Sequence, residues 1–177
     1  LLSREETAQK VGSNTYLGAL LDLRAGTIQP LAYVRGLGHA ALTEGATIFT
    51  NSPAETVEAT GTQWRVTTPQ GTITANWVIM ATDAYTSGPW EIITKEQVHL
   101  PYFNCATTPL SDNIRKTILP ERQGVWDTKE VLSSFRMDAH GRLIFGSVGA
   151  LNGTGLPVHT GWAKRALHKL FPQLGGI

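Results

Sequence analysis

The run Trp77-Val78-Ile79-Met80-Ala81-Thr82 constrains this chain more than any other stretch, because it is apolar on consecutive rather than alternate positions. A strand buried on both faces needs that pattern, and parallel sheets flanked by helices produce it. The residues before it read differently. Glu55 to Ala59, Trp64 to Thr68 and Thr72 to Thr74 form a meander around Thr60-Gly61-Thr62 and Gln70-Gly71 turns. The expected class is α/β to α+β: helix, strand, meander, then a buried strand.

The flanking segments carry clear punctuation. Ser3-Arg4-Glu5-Glu6 matches a capping box and predicts a helix from about Arg4 to Val11, stopped by Gly12. Thr15 to Asp22 reads as extended, with a turn at Arg24-Ala25-Gly26. Pro30 suits the first position of a second helix, in which Leu31, Val34, Leu37, Ala41 and Leu42 recur at helical spacing before Gly45. Thr47 to Thr50 reads as a short strand. In the second half, Val98 to Leu110 predicts one or two strands and Asp112 to Ile118 a short helix. Leu132 to Met137 and Arg142 to Gly146 predict a hairpin. A glycine-rich loop over Gly149 to Pro157 precedes a helix from His159 to Leu170, stopped by Pro172.

Composition narrows the function classes. The 177 residues are 41% hydrophobic and 16% charged, a globular balance. Fifteen basic against fourteen acidic residues leave a net charge of +1 and no Lys/Arg run, so no nucleic-acid footprint is visible. No apolar run approaches the roughly 20 residues of a membrane span, and no secretory signal opens the chain. The single cysteine, Cys105, fits a reducing, cytoplasmic setting and reads as a packed thiol. The start at Leu1-Leu2 and the end at Gly175-Gly176-Ile177 do not read as natural termini, so an internal piece of a longer protein is expected.

One motif invites a cofactor reading. Gly36-Leu37-Gly38-His39-Ala40-Ala41 matches the G-x-G-x-x-A dinucleotide pattern, which needs a strand, a tight turn and then a helix N-terminus. Here the context is helical from Pro30 onward, and the glycines read as places for a neighbour to pack closely. The five histidines are scattered without metal spacing, so no metal site is expected. No G-x-S-x-G is present; Gly146-Ser147-Val148-Gly149 has its serine at the wrong offset. Asp22, Asp83 and Asp127 read as caps or turn residues.

Several segments in order resemble a known family. Gly26-Thr27-Ile28-Gln29-Pro30 leads into Tyr33-Val34-Arg35-Gly36-Leu37, followed by Gly45-Ala46-Thr47-Ile48. Val78-Ile79-Met80-Ala81-Thr82-Asp83-Ala84-Tyr85 ends the meander, and Arg142-Leu143-Ile144-Phe145-Gly146 follows the hairpin turn. Together they are similar to the D-amino-acid oxidase/glycine oxidase family of FAD-dependent oxidoreductases, over nearly the whole chain. Ala106-Thr107-Thr108-Pro109-Leu110 resembles the gamma-glutamylputrescine oxidase-like branch.

The resemblance implies part of a doubly wound FAD-binding domain with an inserted meander over 1–90. It implies part of an antiparallel substrate domain over 91–177. FAD is the implied cofactor, with Ser52, Pro53 and Ala54 near its adenine end and Ala81 and Thr82 at the end of the buried strand. Asp83 stands where the family more commonly has Gly or Asn. Arg136 either meets a substrate carboxylate or is a surface arginine on a two-faced strand. Tyr102 and Phe103 either line the pocket or pack. The implied reaction is oxidation of an amine or amino acid to an imine; no residue is singled out as catalytic. A dehydrogenase or demethylase of secondary amines such as sarcosine, and a non-catalytic α+β binding module, are the alternatives. The family's N-terminal G-x-G-x-x-G strand and C-terminal glycine-rich segment are not in this sequence, so weak FAD binding by these residues alone is expected.

Overall fold

The computed structural model describes residues 1–175, so Gly176 and Ile177, part of the chain end read above, lie outside the described residues. The chain forms two compact units, Leu1–Tyr33 with Leu100–Ile177, and Val34–His99. The first 33 residues thus join the second half. The reason lies at the end of helix α1 (Arg4–Val11). Its last carbonyls are taken by distant donors: Leu119 N to Val11 O at 3.3 Å, Gln123 Nε2 to Lys10 O at 2.7 Å and Gln173 Nε2 to Gly12 O at 2.7 Å.

Helix α1 begins and ends as its sequence predicts. Ser3 N donates to Glu6 Oε2 at 2.7 Å, and Glu6 N donates to Ser3 Oγ at 3.2 Å, closing the capping box. Gly12 is left-handed at φ 79, and a Cβ there would drive into the Thr117 carbonyl.

The larger unit is built on a four-stranded antiparallel sheet ordered β4-β7-β6-β5: β4 Tyr102–Ala106, β7 Leu143–Val148, β6 Ser133–Met137 and β5 Val125–Trp126. Alternation divides its two faces. Phe103, Phe135, Met137, Leu143 and Phe145 point to one side and are buried. Helix α5 (Gly155–Leu170) covers them with Ala163, Leu167 and Leu170, joined by Phe171, Leu174, Ile118, Leu119 and Val11. Aromatic rings lock this layer: Phe135 meets Phe171 edge-on at 5.2 Å between centroids, and Trp162 lies 5.7 Å from Phe145 and 6.3 Å from Phe103. Pro172 follows α5 and opens a single 3₁₀ turn.

The β6–β7 turn depends on Asp138. Its Oδ1 accepts from His140 N and Arg142 N, both at 2.9 Å, and its Oδ2 from Arg142 Nε at 2.7 Å; Gly141 supplies φ 75. Burial pushes the Asp138 carboxyl up, but these donors and the Arg142 charge outweigh it and hold the group below the ordinary range.

The Val34–His99 unit is thinner. Its meander, β1 Thr56–Thr60, β2 Gln63–Thr68 and β3 Gly71–Ala75, places Val57, Val66 and Ile73 in one cross-strand row and Ala59, Trp64 and Ala75 in the next. Glu58, Arg65 and Thr74 share the opposite, polar face. Of this unit's described residues only Thr86 is buried. Helix α2 (Pro30–Thr43) runs through both Gly36 and Gly38 with no buried residue, and nothing lies near where their Cβ atoms would stand. The close-packing role expected of these glycines is therefore not seen.

Two expected strands are absent. Residues 47–50 form no strand, and neither does 77–82, where Trp77 is 84% and Ile79 89% exposed. A run apolar on successive positions becomes a strand only between parallel neighbours that cover both faces. Every strand pair among the described residues is antiparallel, and none includes this run. The observed class is α+β. Helix α3 (Glu91–Glu96) and the four-residue α4 (Asp112–Arg115) complete the elements. No helix among the described residues is long and apolar enough to cross a membrane.

This packing sets the cost of two substitutions. Phe145→Ala opens a cavity in a fully buried site and should cost about 3–5 kcal/mol, whereas Leu37→Ala on exposed α2 should stay within about 0.5 kcal/mol; urea denaturation of each variant measures both. Tyr16 gives a pH-dependent test, because it stacks on Phe135 with a buried hydroxyl lacking a partner. Burial first, and the Asp127 carboxylate second, push its pKa up to about 12. The unfolded value is about 10, so the neutral phenol favours the folded state. That contribution is complete below pH about 10 and is lost as pH rises through the folded pKa. Alkaline unfolding should therefore begin at higher pH in Tyr16→Phe than in the parent, and an unchanged onset would refute the assignment.

Candidate functional site

The sheet face opposite the core mixes polar and apolar side chains and is only partly covered. Register places Asn104, Gly146 and Ser134 in one cross-strand row, with Trp126 continuing it, and Ala106, Ile144 and Arg136 in the next. The parity that buries Phe103, Phe145 and Phe135 dictates this: residues between buried positions point the other way. A cavity of about 310 Å³ opens here, lined by Asn104, Ser134, Arg136, Trp126 and Ile144 together with the Gly26–Pro30 stretch. Its size lies at the small end of the roughly 300–1,000 Å³ typical of ligand pockets.

Arg136 is the only charged side chain among the residues lining this cavity. One guanidinium nitrogen, Nη1, donates to Ile28 O at 3.1 Å, which ties the Gly26–Pro30 segment to the sheet. No carboxylate among the described residues pairs with it. The rest of the fork therefore remains available to a planar anion, and a carboxylate matches its geometry.

Tyr102 shares this face but reaches the cavity through another residue: its Oη lies 2.7 Å from Ser134 Oγ. Phe103, on the other face, packs in the core. Cys105 also packs against the core, where burial raises its thiol pKa. Asn104, Ser134 and Trp126 were not singled out from the sequence. The parity of Asn104 with Tyr102 and of Ser134 with Arg136 is legible in the sequence; strand β5 with Trp126, and the register that gathers the strands, are not.

A larger cavity, about 420 Å³, is lined by Asp112, Arg115, Lys116, Leu119, Pro120, Arg122 and Met137. Asp112 already pairs with Arg115. Arg122 in the larger cavity likewise has no carboxylate partner among the described residues. That cavity, however, lies along the short α4 and the loop after it, whereas the smaller one opens on strands whose register is fixed by the core. The smaller is therefore the candidate.

The residues expected to touch FAD lie in the Val34–His99 unit. Ser52 Oγ donates to Thr50 O at 3.0 Å, and the Ala54 carbonyl sits beside Gly88. Ala81 and Thr82 are exposed; Thr82 Oγ1 pairs with Thr86 Oγ1 at 2.8 Å. Pro53 is exposed. Asp83 stands at φ 44, a left-handed conformation that Gly or Asn adopts most easily and Asp tolerates. Its carbonyl caps the turn by accepting from Thr86 N and Oγ1 at 3.1 and 2.6 Å.

A flavin pyrophosphate needs free N–H groups at a helix start. The G-x-G-x-x-A segment lies inside α2, where N–H groups bond to the preceding turn. That segment therefore offers no free N–H groups to a pyrophosphate.

With this geometry in place, comparison with known proteins decides the family. The family model for FAD dependent oxidoreductase (DAO) matches residues 1–177. The chain belongs to this family. Its members are FAD dependent. The chain is 28% identical to a probable oxidoreductase OrdL of Rhizobium meliloti (strain 1021), over 99% of this chain and 41% of that protein. It is 33% identical to a probable oxidoreductase OrdL of Haemophilus influenzae (strain ATCC 51907 / DSM 11121 / KW20 / Rd), over 83% of this chain and 35% of that protein. To the gamma-glutamylputrescine oxidoreductase of Escherichia coli (strain K12) it is 30% identical, over 100% of this chain and 42% of that protein. The chain thus spans about two fifths of the length of these relatives. No solved structure matches.

Proposed function

We propose that this chain supplies the substrate-recognising sheet of an FAD-dependent oxidoreductase that oxidises an amine or amino acid to the imine. The observation that carries the reading is Arg136, a guanidinium without a carboxylate partner, facing a cavity of ligand size on the open face of a rigid sheet. Family membership supplies the redox class, and a relative named for oxidising gamma-glutamylputrescine extends it to amines. In this reading Arg136 binds the substrate carboxylate, and Asn104 and Ser134 orient the remainder by hydrogen bonds. Tyr102 acts through Ser134. The Val34–His99 unit, with Ser52, Pro53, Ala54, Ala81 and Thr82, contributes flavin contacts in the full-length protein. Secondary amines such as sarcosine fit the same carboxylate anchor and belong in the same substrate panel. Membership of an oxidoreductase family weighs against the non-catalytic binding module.

The test uses the full-length protein carrying this sequence, screened with primary and secondary amines for bleaching of its flavin absorbance. Arg136→Lys keeps the charge but loses the fork, and Arg136→Gln loses both. Charge-assisted hydrogen bonds are worth about 1.5–3 kcal/mol, so Arg136→Gln should raise KM for carboxylate-bearing amines by roughly ten- to a hundredfold. Arg136→Lys should fall between the two, and amines without a carboxylate should be unaffected. Equal losses on both substrate classes would show that Arg136 does not read the carboxylate.

A further inference from the structure

Glycine in the interior of a central strand weakens the strand and often marks close approach by another group. Gly146 occupies the middle of β7, flanked across the strands by Asn104 and Ser134. A Cβ at this position would stand 2.7 Å from Asn104 Oδ1 and 2.8 Å from both Cε1 and Oη of Tyr102. The Tyr102 ring therefore leans across the glycine, and its hydroxyl meets Ser134 Oγ at 2.7 Å on the far side. Asn104 and Ser134 line the cavity, whereas Tyr102 does not. The tyrosine stands behind them, bridging β4 to β6 over the floor of β7.

From this arrangement we infer that Tyr102 is a positioning residue that sets the length limit of the cavity. The inference rests on the reading of Arg136 as the anchor for a substrate carboxylate. A ligand held at Arg136 runs along the sheet toward Ser134, two residues or roughly 7 Å further on. There the Tyr102–Ser134 bridge closes the face above Gly146, so a longer chain enters only if the ring swings away. The bridge also takes up one of the hydrogen bonds of Ser134 and thereby fixes what this hydroxyl offers to a ligand. Gly146 is a requirement of the device, because any side chain there would displace Tyr102 and Asn104.

The experiment measures binding of unbranched monocarboxylates of increasing length, and of the corresponding primary amides, to the full-length flavoprotein. In the parent, carboxylate affinity should rise with length and then fall sharply at a cutoff. In Tyr102→Ala the cutoff should move to longer chains by two or more carbons, with gains of about tenfold beyond the old limit. Tyr102→Phe keeps the ring but removes the bridge, and should move the cutoff the same way by less. It serves as the test if Tyr102→Ala does not fold.

An unchanged cutoff in the folded tyrosine variants would overturn the inference, as would failure of every probe to bind the parent. The anchor is tested separately. If Arg136→Gln binds carboxylates like the parent while the cutoff still moves in Tyr102→Ala, the carboxylate anchor fails and the length limit stands. If Arg136→Gln loses the carboxylate preference while the cutoff ignores Tyr102, the anchor stands and the length limit fails.

Discussion

Leu143, Phe145 and Ser147 point to the same side of β7, and all three are wholly buried. Phe145 fills the layer beneath α5, and Ser147 satisfies its hydroxyl by donating to Leu132 O at 2.7 Å. A strand has a side-chain period of two, so a slip by one residue would carry Gly146 and Ile144 into the core and expose the phenylalanine. Hydrophobic burial on one face thereby fixes the register of the whole sheet. The register in turn decides that Arg136, Ser134, Asn104 and Trp126 share the other face. Beyond the sheet, Thr107 supports the same alignment: its N donates to Leu143 O, and its Oγ1 accepts from Leu143 N, both at 3.0 Å.

The Val34–His99 unit has no comparable constraint. Its meander shows the correct alternation, yet Trp64 and Ile73 remain substantially exposed, and α2 presents Leu31, Val34, Leu37 and Leu42 without a buried residue. Local rules alone shape these elements: turn glycines at Gly61 and Gly71, proline at the first position of α2, and cross-strand rows of valine and isoleucine. Local signals suffice for helix and hairpin. They do not suffice for a strand whose two faces both require covering.

That distinction explains what the sequence made legible. The capping box at Ser3–Glu6, the left-handed stop at Gly12, Pro30, the three meander strands and the hairpin around Asp138–Gly141 each carry their determinants within a few residues. Trp77–Thr82 failed as a strand because its determinants are not local: the composition states a demand for two covered faces, and no described strand meets it. Thr47–Thr50 failed similarly. The G-x-G-x-x-A segment shows the converse case. Its spacing fits the phosphate-loop pattern, but helix α2 runs straight through it, so the geometry that would give the pattern meaning is missing. On the site, Arg136 and Tyr102 were visible as residue types in a strand. Only pairing across β4, β7 and β6 joined them to Asn104 and Ser134.

The open face is also where the sheet departs from what favours a strand. Glycine costs a strand about 0.5–1 kcal/mol relative to alanine, and serine and asparagine lack the β-branched or aromatic bulk that packs best on a pleated surface. These residues cluster on β4, β6 and β7 opposite Phe103, Phe135 and Phe145. The buried aromatic layer and the layer that holds Arg136 thus occupy the same strands at alternate positions, one residue apart. Rigidity comes from the buried parity: the aromatic layer leaves the backbone beneath Arg136 little freedom, and Ile28 O holds its guanidinium from above the face. The Gly26–Pro30 segment adds a second constraint on this side, packing over part of the face and holding Arg136. The local rules broken at Gly146, Ser134 and Asn104 are offset by the core one residue away, and under the proposed function they are concessions to recognition.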